Sequence, residues 1–263
     1  MRNLVVKLYN SNHNECYICG SITRLISKHS IFVICTFDGC KTKQSVFANT
    51  FLHNSKLNKL KLLRLIKLLY IGTGFESICE SLSINIKTAE RYLGTLKKEV
   101  NRRYLSFLNQ IGGKDIIVEI DESKFGKNKH HRGHKVEGVW VVGMVERTKE
   151  RKMVLYPVEK RSAKTLIPLI RWFVHPESII FSDKWKAYYS LQEYFEHLSV
   201  NHSKHFVDPD TGVHTNTIEG NWNGIKMKTP ARWRTVKDIK LPLAIAMAKR
   251  EGSFEEFIFK LIK

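Results

Sequence analysis

Apolar positions along this chain follow two different rhythms, and the change between them marks its organisation. From Lys56 to about Tyr104 they recur every three or four residues. In "LNKLKLLRLIKLLY" this places Leu60, Leu63, Ile66 and Leu69 or Tyr70 on one side, with Lys and Arg on the other. "FESICESL", the short turn "SIN" and "IKTAERYLGTLKKEV" then predict a helix, a tight connection and a second helix. "NQIGGKD" breaks the pattern with two glycines and reads as a linker. Beyond it the period shortens. "IIVEIDES" predicts a strand, "VWVVGMVERTKERKMVLYPVE" two strands around a charged turn, and "AKTLIPLIRWFV" an amphipathic helix. "SIIFSD" and "HLSVNHS" follow as strands, with "KWKAYYSLQEYF" and "TNTIEGNWNGIKMK" as helices. Three successive strands and then helix-strand repeats describe an α/β domain, a mixed sheet with helices on its faces.

The 263 residues suffice for one large domain or for a core domain with an appendage. Four of the five cysteines form a C-x2-C-x15-C-x4-C array: Cys16, Cys19, Cys35 and Cys40. Two close thiolate pairs provide the four tetrahedral ligands of a closed, structural Zn2+ site. Gly20 and Gly39 stand where knuckle turns need them, and "IFVIC" between the pairs reads as a strand. Cys79, alone in a helical stretch, reads as a packed thiol. The expected organisation is a zinc ribbon over 1–52, a helix-turn-helix-like region over 53–110 and a catalytic domain over 111–263.

Charge changes the picture further. Lys and Arg number 44 against 25 acidic residues, a net +19, which points to a polyanion and first to nucleic acid. In the helix-turn-helix reading, the second helix carries Lys87, Thr88, Arg91 and Tyr92 towards a DNA groove; a helical bundle joining two domains explains the same periodicity. No apolar stretch is long enough for a transmembrane helix and no signal-peptide pattern opens the chain. The expectation is an intracellular protein with reduced thiols and no membrane partner.

Within the α/β domain, Asp121 falls on the first and central strand, Asp183 at the carboxyl end of the fourth, and Glu219 on a later helix. Ligands in open α/β sheets gather where strand ends and crossover helices meet, so these acids can converge. Three carboxylates together repel one another unless a cation neutralises them, which predicts a hard divalent metal. Two such ions about 4 Å apart clamp the attacking and leaving oxygens of a displacement at phosphorus. Asp183 also has a plainer reading, as the cap of the helix that follows. Strand alternation puts Glu119 on the face of Asp121 and Glu122 on the other, which makes Glu119 the alternate ligand.

The stretches "VEIDESKFGK", "RGHKVEGVWVVGMVER", "SDKWKAYYSL" and "VNHSKHFVDPDTGVHTNTIEGNWNGIK", with the cysteine ribbon ahead of them, give the chain its family likeness. It resembles the DDE transposases with an RNase H-like core, specifically the Merlin type and its bacterial insertion-sequence relatives. The resemblance implies that Asp121, Asp183 and Glu219 are a catalytic triad binding two Mg2+ or Mn2+ ions. It implies cut-and-paste transposition: cleavage at the terminal inverted repeats of a transposon, then attack of the freed 3′-hydroxyls on target DNA. The partners are then double-stranded DNA and further copies of the chain, a homodimer or larger, in the nucleus of a eukaryote or the cytoplasm and nucleoid of a bacterium. Two other readings stand beside it: a catalytically silent DNA-binding protein derived from a transposase, and a structure-specific nuclease.

Weaker signals complete the list. "SKFGKNKHHRGHK" offers Lys124, Lys127, Lys129, Arg132 and Lys135 as phosphate contacts, or is a solvated hairpin tip. His130, His131 and His134 in that basic loop read as no metal site. His202 and His205 follow the fifth strand, either structural or positioning the substrate. Thr215 or Asn216 is expected to cap the Glu219 helix, which Trp222 packs down. "KMKTPARWR" ends that helix in a basic cluster.

Overall fold

The structure, a computed structural model, describes residues 2–262 apart from 13–14, 28–29, 127–137, 202–206 and 210–211. The chain divides into two compact units, one of Met1–Glu99 with Ser253–Lys263 and one of Val100–Gly252.

The first unit opens with helix α1 (Arg2–Asn12) and a three-stranded antiparallel sheet of β1 (Thr23–Leu25), β2 (Phe32–Cys35) and β3 (Lys43–Ser45). Gly20 takes φ +73° in the turn after Cys19, a conformation that glycine adopts without steric cost. The matching turn after Cys40 uses Lys41 (φ +45°) in place of Gly39. Helix α2 (Lys59–Ile71) starts where Asn58 accepts the amides of Leu60 and Lys61, and ends at Gly72 in the left-handed region. Its buried face is broader than the apolar period suggests: Leu62, Leu63, Leu65, Ile66, Leu69 and Tyr70 are all inside, and Leu60 is exposed. Each such Leu or Ile contributes about 1.5–3 kcal/mol by leaving water.

The expected pair of helices and its tight connection follow as α3 (Phe75–Leu82) and α4 (Ile86–Arg102). Ser83 turns the chain at φ +48°, and Asn85 Oδ1 accepts the Lys87 amide to start α4. Lys87 and Arg91 are exposed on α4. Tyr92 is not available to a groove. It is buried, and its hydroxyl accepts the Leu57 amide at 2.9 Å.

The second unit is built on a five-stranded sheet of β4 (Ile117–Phe125), β5 (Val139–Glu146), β6 (Met153–Val158), β7 (Ile179–Asp183) and β8 (Glu196–Val200). The order is β6-β5-β4-β7-β8, antiparallel across the first three and parallel from β4 to β8. This is the mixed sheet of an RNase H-like fold, with β4 at its centre. Helix α5 (Ala163–Phe173) packs Phe173 against Tyr156, which shares a face with Val142 and Glu122. Helices α6 (Asn216–Lys228) and α7 (Lys240–Glu251) cover the other face, where Trp222 meets Gly143 and Met247 meets Leu155. With both faces covered, β4 buries Val118, Glu119 and Ile120 in succession.

Two sequence expectations give way here. The glycine pair before the sheet is no free linker: Ile111 is buried and bridges Val174, and the Gly112 amide donates to Glu146 Oε2 at 3.0 Å. "KWKAYYSLQEYF" forms a 3-10 run over Lys186–Glu193 and not an α-helix. The last helix, α8 (Phe254–Ile262), belongs to the first unit, where Tyr70 lies against the rings of Phe254 and Phe257. Among the described residues no helix is long and apolar enough to cross a membrane.

Candidate active site

Asp121 stands on the central strand directly opposite Gly143 of β5. That glycine is a matter of space. A Cβ there would sit 2.5 Å from the Trp222 ring and 2.8 Å from Ile218, so its absence lets α6 lie close on the sheet. Trp222 uses that room to donate its indole N–H to Asp121 Oδ2 at 2.9 Å, with its ring edge-on to Phe125. The packing role expected of Trp222 is therefore joined by a polar contact to an acid. Only the matched pair of a missing side chain on β5 and an indole three residues after Glu219 could have signalled it.

Burial pushes the Asp121 carboxyl up to about 6. The charges of Asp183 and Glu219 contribute to that rise, and the Trp222 indole and the Glu122 amide oppose it. The structure thus brings the three acids, one from the centre of β4, one from the end of β7 and one from the first turn of α6, into electrostatic reach. They do not close into a cluster as tight as the cysteine group. Asp183 does not cap an α-helix, since the 3-10 run after it begins behind Trp185 with no side-chain cap.

The start of α6 is held by groups that the sequence reading assigned otherwise. Thr215 is at the cap position but turns its hydroxyl to Glu219 Oε1 at 3.0 Å. The cap is supplied by Glu119, whose Oε2 accepts the Ile218 amide at 2.9 Å. Its other oxygen accepts from Arg147 Nε at 2.6 Å, and Arg147 Nη2 reaches both His214 Nδ1 (2.8 Å) and the His214 carbonyl (2.9 Å). Fully buried and engaged at both oxygens, Glu119 is an anchor for the Glu219 helix and not an alternate ligand. At the far end of α6, Arg234 donates to the carbonyls of Lys226 and Thr229, so one member of the basic cluster closes the helix.

Glu122 faces the other side of the sheet. Its side chain is 5 % exposed, Oε2 lies 3.9 Å from Arg161, and Oε1 is buried with no hydrogen-bond partner among the described residues. Burial, together with the charges of Asp121 and Asp183, pushes this carboxyl up to about 8. Arg161 lies 3.5 Å from the ring centre of Trp140 and 5.3 Å from that of Trp185. Lys124 lies over the other part of this group, 5.7 Å from Trp140. Lys127, Lys129, Arg132, Lys135 and the histidines His130, His131, His134, His202 and His205 lie outside the described residues.

In the first unit, Cys16, Cys19, Cys35 and Cys40 bring all four sulfurs within 4.8 Å of one another, and none is in a disulfide. Cys16 and Cys40 are 3.8 Å apart and Cys19 and Cys35 3.5 Å. Sulfurs at about 2.3 Å around a tetrahedral ion stand about 3.8 Å apart, so the spacing fits zinc. Hydrogen bonds from Ser21 bring the Cys19 thiol down to about 6, while burial raises Cys35 to about 12. The group can hold one zinc ion. Cys79 is a buried thiol held in the protonated form by burial.

Residues 110–238, just under half of the chain, match the family model described as the ISXO2-like transposase domain. An uncharacterized transposase-like protein of Haemophilus influenzae is 34 % identical over 76 residues, 28 % of this chain and 60 % of that protein. The chain therefore spans about 60 % of that relative's length. Among solved structures, a pre-cleavage Mos1 transpososome covers 80 % of this chain and 81 % of its own at 13 % identity and a TM-score of 0.22. The Mos1 Strand Transfer Complex covers 77 % and 81 % at 12 % identity and a TM-score of 0.23. Likenesses at that level bear on no residue of the site.

Proposed function

We propose that this chain is a DDE transposase, with the ISXO2-like transposase match over residues 110–238 as the premise. Asp121, Asp183 and Glu219 are its metal-binding and catalytic triad, and the arrangement of Asp121 at the centre of the sheet with Asp183 and Glu219 near enough for their charges to act on it is what supports the reading. The donor set is all oxygen, which suits Mg2+ or Mn2+. Two such ions, when bound, would supply activation of water or a 3′-hydroxyl and neutralise charge developing at phosphorus.

The chain's own residues prepare this chemistry. The Trp222 indole fixes the orientation of the Asp121 carboxylate and favours its ionised form. The Thr215 hydroxyl orients Glu219, and the Glu119–Arg147–His214 network sets where the first turn of α6 begins. Lys226, near enough for Asp121 to affect its ammonium group, adds a cation beside the acids. Burial holds Asp121 protonated below about pH 6, so cation binding competes with a proton there.

The substrate in this reading is double-stranded DNA at transposon ends, cut and then joined to target DNA by at least two copies of the chain. Lys87 and Arg91 on α4 contact its backbone or groove, as do the basic residues after Lys124. The Merlin-type assignment rests on the motifs around the three acids, and inverted repeats bordering the reading frame would support it. The expected activity is a Mg2+- or Mn2+-dependent nick at cognate inverted repeats, reduced at least about 10³-fold by Asp183→Ala. Nicking that persists in this variant removes the triad. Binding to the repeats without any nick by the wild type favours the silent DNA-binding derivative.

A further inference from the structure

A second polar site lies at the other end of the packing between α6 and the sheet. The turn joining β5 to β6 and the start of α6 enclose a cleft of about 240 Å³ lined by Arg147, Thr148, Arg151, His214 and Thr217. Two guanidiniums, the Thr217 hydroxyl and an imidazole form a set of donors with no carboxylate in the lining, and the Thr148 hydroxyl serves the turn itself. The cleft is built on a braced floor. Arg147 is locked to the buried Glu119 and to His214, and Thr148 donates to the buried Glu146 at 2.7 Å while accepting the Arg151 amide at 3.1 Å.

Arg151 is the informative member. It occupies φ +50°, a left-handed conformation that costs a non-glycine residue energy and that the Thr148 hydroxyl sustains. Its guanidinium has no ion-pair partner among the described residues. Since Glu119 neutralises Arg147, Arg151 supplies the uncompensated positive charge of the cleft. A turn that holds an arginine without an ion-pair partner in a disfavoured backbone state, beside the Thr217 hydroxyl and a second arginine, suits a tetrahedral oxyanion.

We propose that this cleft is a phosphate-binding subsite that seats a backbone phosphate of the DNA, with Arg151 as its principal charge. It rests on the transposase reading for the identity of the DNA, and it fixes the duplex relative to Glu219 because Thr217 and Glu219 share the first turns of α6. A phosphate contact of this kind positions the duplex without reading its sequence.

The test uses the full chain and Arg151→Gly, which suits the φ of the position and removes the side chain without a folding penalty. Duplex affinity is measured by fluorescence anisotropy across a salt series, for a cognate repeat and a scrambled duplex. Arg151→Gly should weaken both several-fold and lower the magnitude of the log K against log salt slope by about one, and Arg151→Lys should restore the slope. Wild-type affinity and slope in Arg151→Gly overturn the proposal. Calorimetry with inorganic phosphate separates the sources: millimolar binding lost in Arg151→Gly, with the duplex slope unchanged, assigns the cleft to free phosphate and overturns the DNA contact. The nicking assay of the wild type is read separately. A changed slope in a protein that never nicks leaves the subsite standing and removes the transposase reading.

Discussion

Asp121 and Glu122 are neighbours on one strand whose environments differ because their side chains leave opposite faces. Asp121 meets an indole donor and two distant acids; Glu122 meets only Arg161, at 3.9 Å, and keeps Oε1 without a hydrogen-bond partner among the described residues. Glu122 is raised from 4.5 to about 8, so between those values it stays protonated in the folded protein and ionises on unfolding. The folded state then binds the extra proton, and stability falls as pH rises through that window. Glu122→Gln removes the titration but keeps the shape. In buffer free of divalent ions it should match the wild type near pH 4 and exceed it by on the order of 3 kcal/mol at pH 9, raising Tm by several degrees. Parallel Tm curves for the two proteins across this range would show that Glu122 ionises freely.

At the scale of elements, the seat of α6 decides the site, and it depends on the bare backbone of Gly143. Gly143→Ala places a methyl 2.5 Å from the Trp222 ring, a contact that α6 can relieve only by moving. A loss of about 1–3 kcal/mol is expected, read as a lower urea midpoint at unchanged m value, together with slower nicking as Trp222 leaves Asp121. A variant with wild-type stability and activity would mean that α6 has slack. The strands, the elements that carry the three acids and the paired helices α3 and α4 were legible because period and turn residues are local properties. The bounds of α6 were legible too, but not the group that holds its start. Thr215 looks like a cap, but Glu119, 99 positions away from Ile218, supplies the bond, and no local pattern reports a partner so distant. The same holds for Ile111 and Gly112, whose apparent linker is drawn in by Val174 and Glu146. "KWKAYYSLQEYF" has a helical spacing of apolar residues, yet it folds as a 3-10 run that begins without a side-chain cap.

For the molecule as a whole, the two units rest on different sources of stability. The second has a sheet covered on both faces; the first includes strands of three or four residues that bury little apolar surface. A ribbon so small needs its ion. One zinc equivalent per chain is expected in purified protein by atomic absorption, lost in Cys16→Ser, with the early transition of a two-step melt moving down and the later one unchanged. Protein free of zinc with an unaltered first transition would refute the metal's structural role. Cysteine spacing marked out the ribbon in the sequence, where three regions over 1–52, 53–110 and 111–263 were expected, but the allegiance of α8 to the first unit was hidden, because its apolar period fits either partner.

That allegiance governs the order in which the protein is made. Since Phe254 and Phe257 complete the packing around Tyr70, the ribosome must translate past residue 257 before the unit that includes residues 1–99 has all these parts. The sheet bearing the acids lies wholly between the two segments of its neighbour and can be assembled first. The segment from Val100 to Gly252 is thus free to fold while its neighbour still waits for a stretch of chain yet to be synthesised, the reverse of a simple amino-to-carboxyl order.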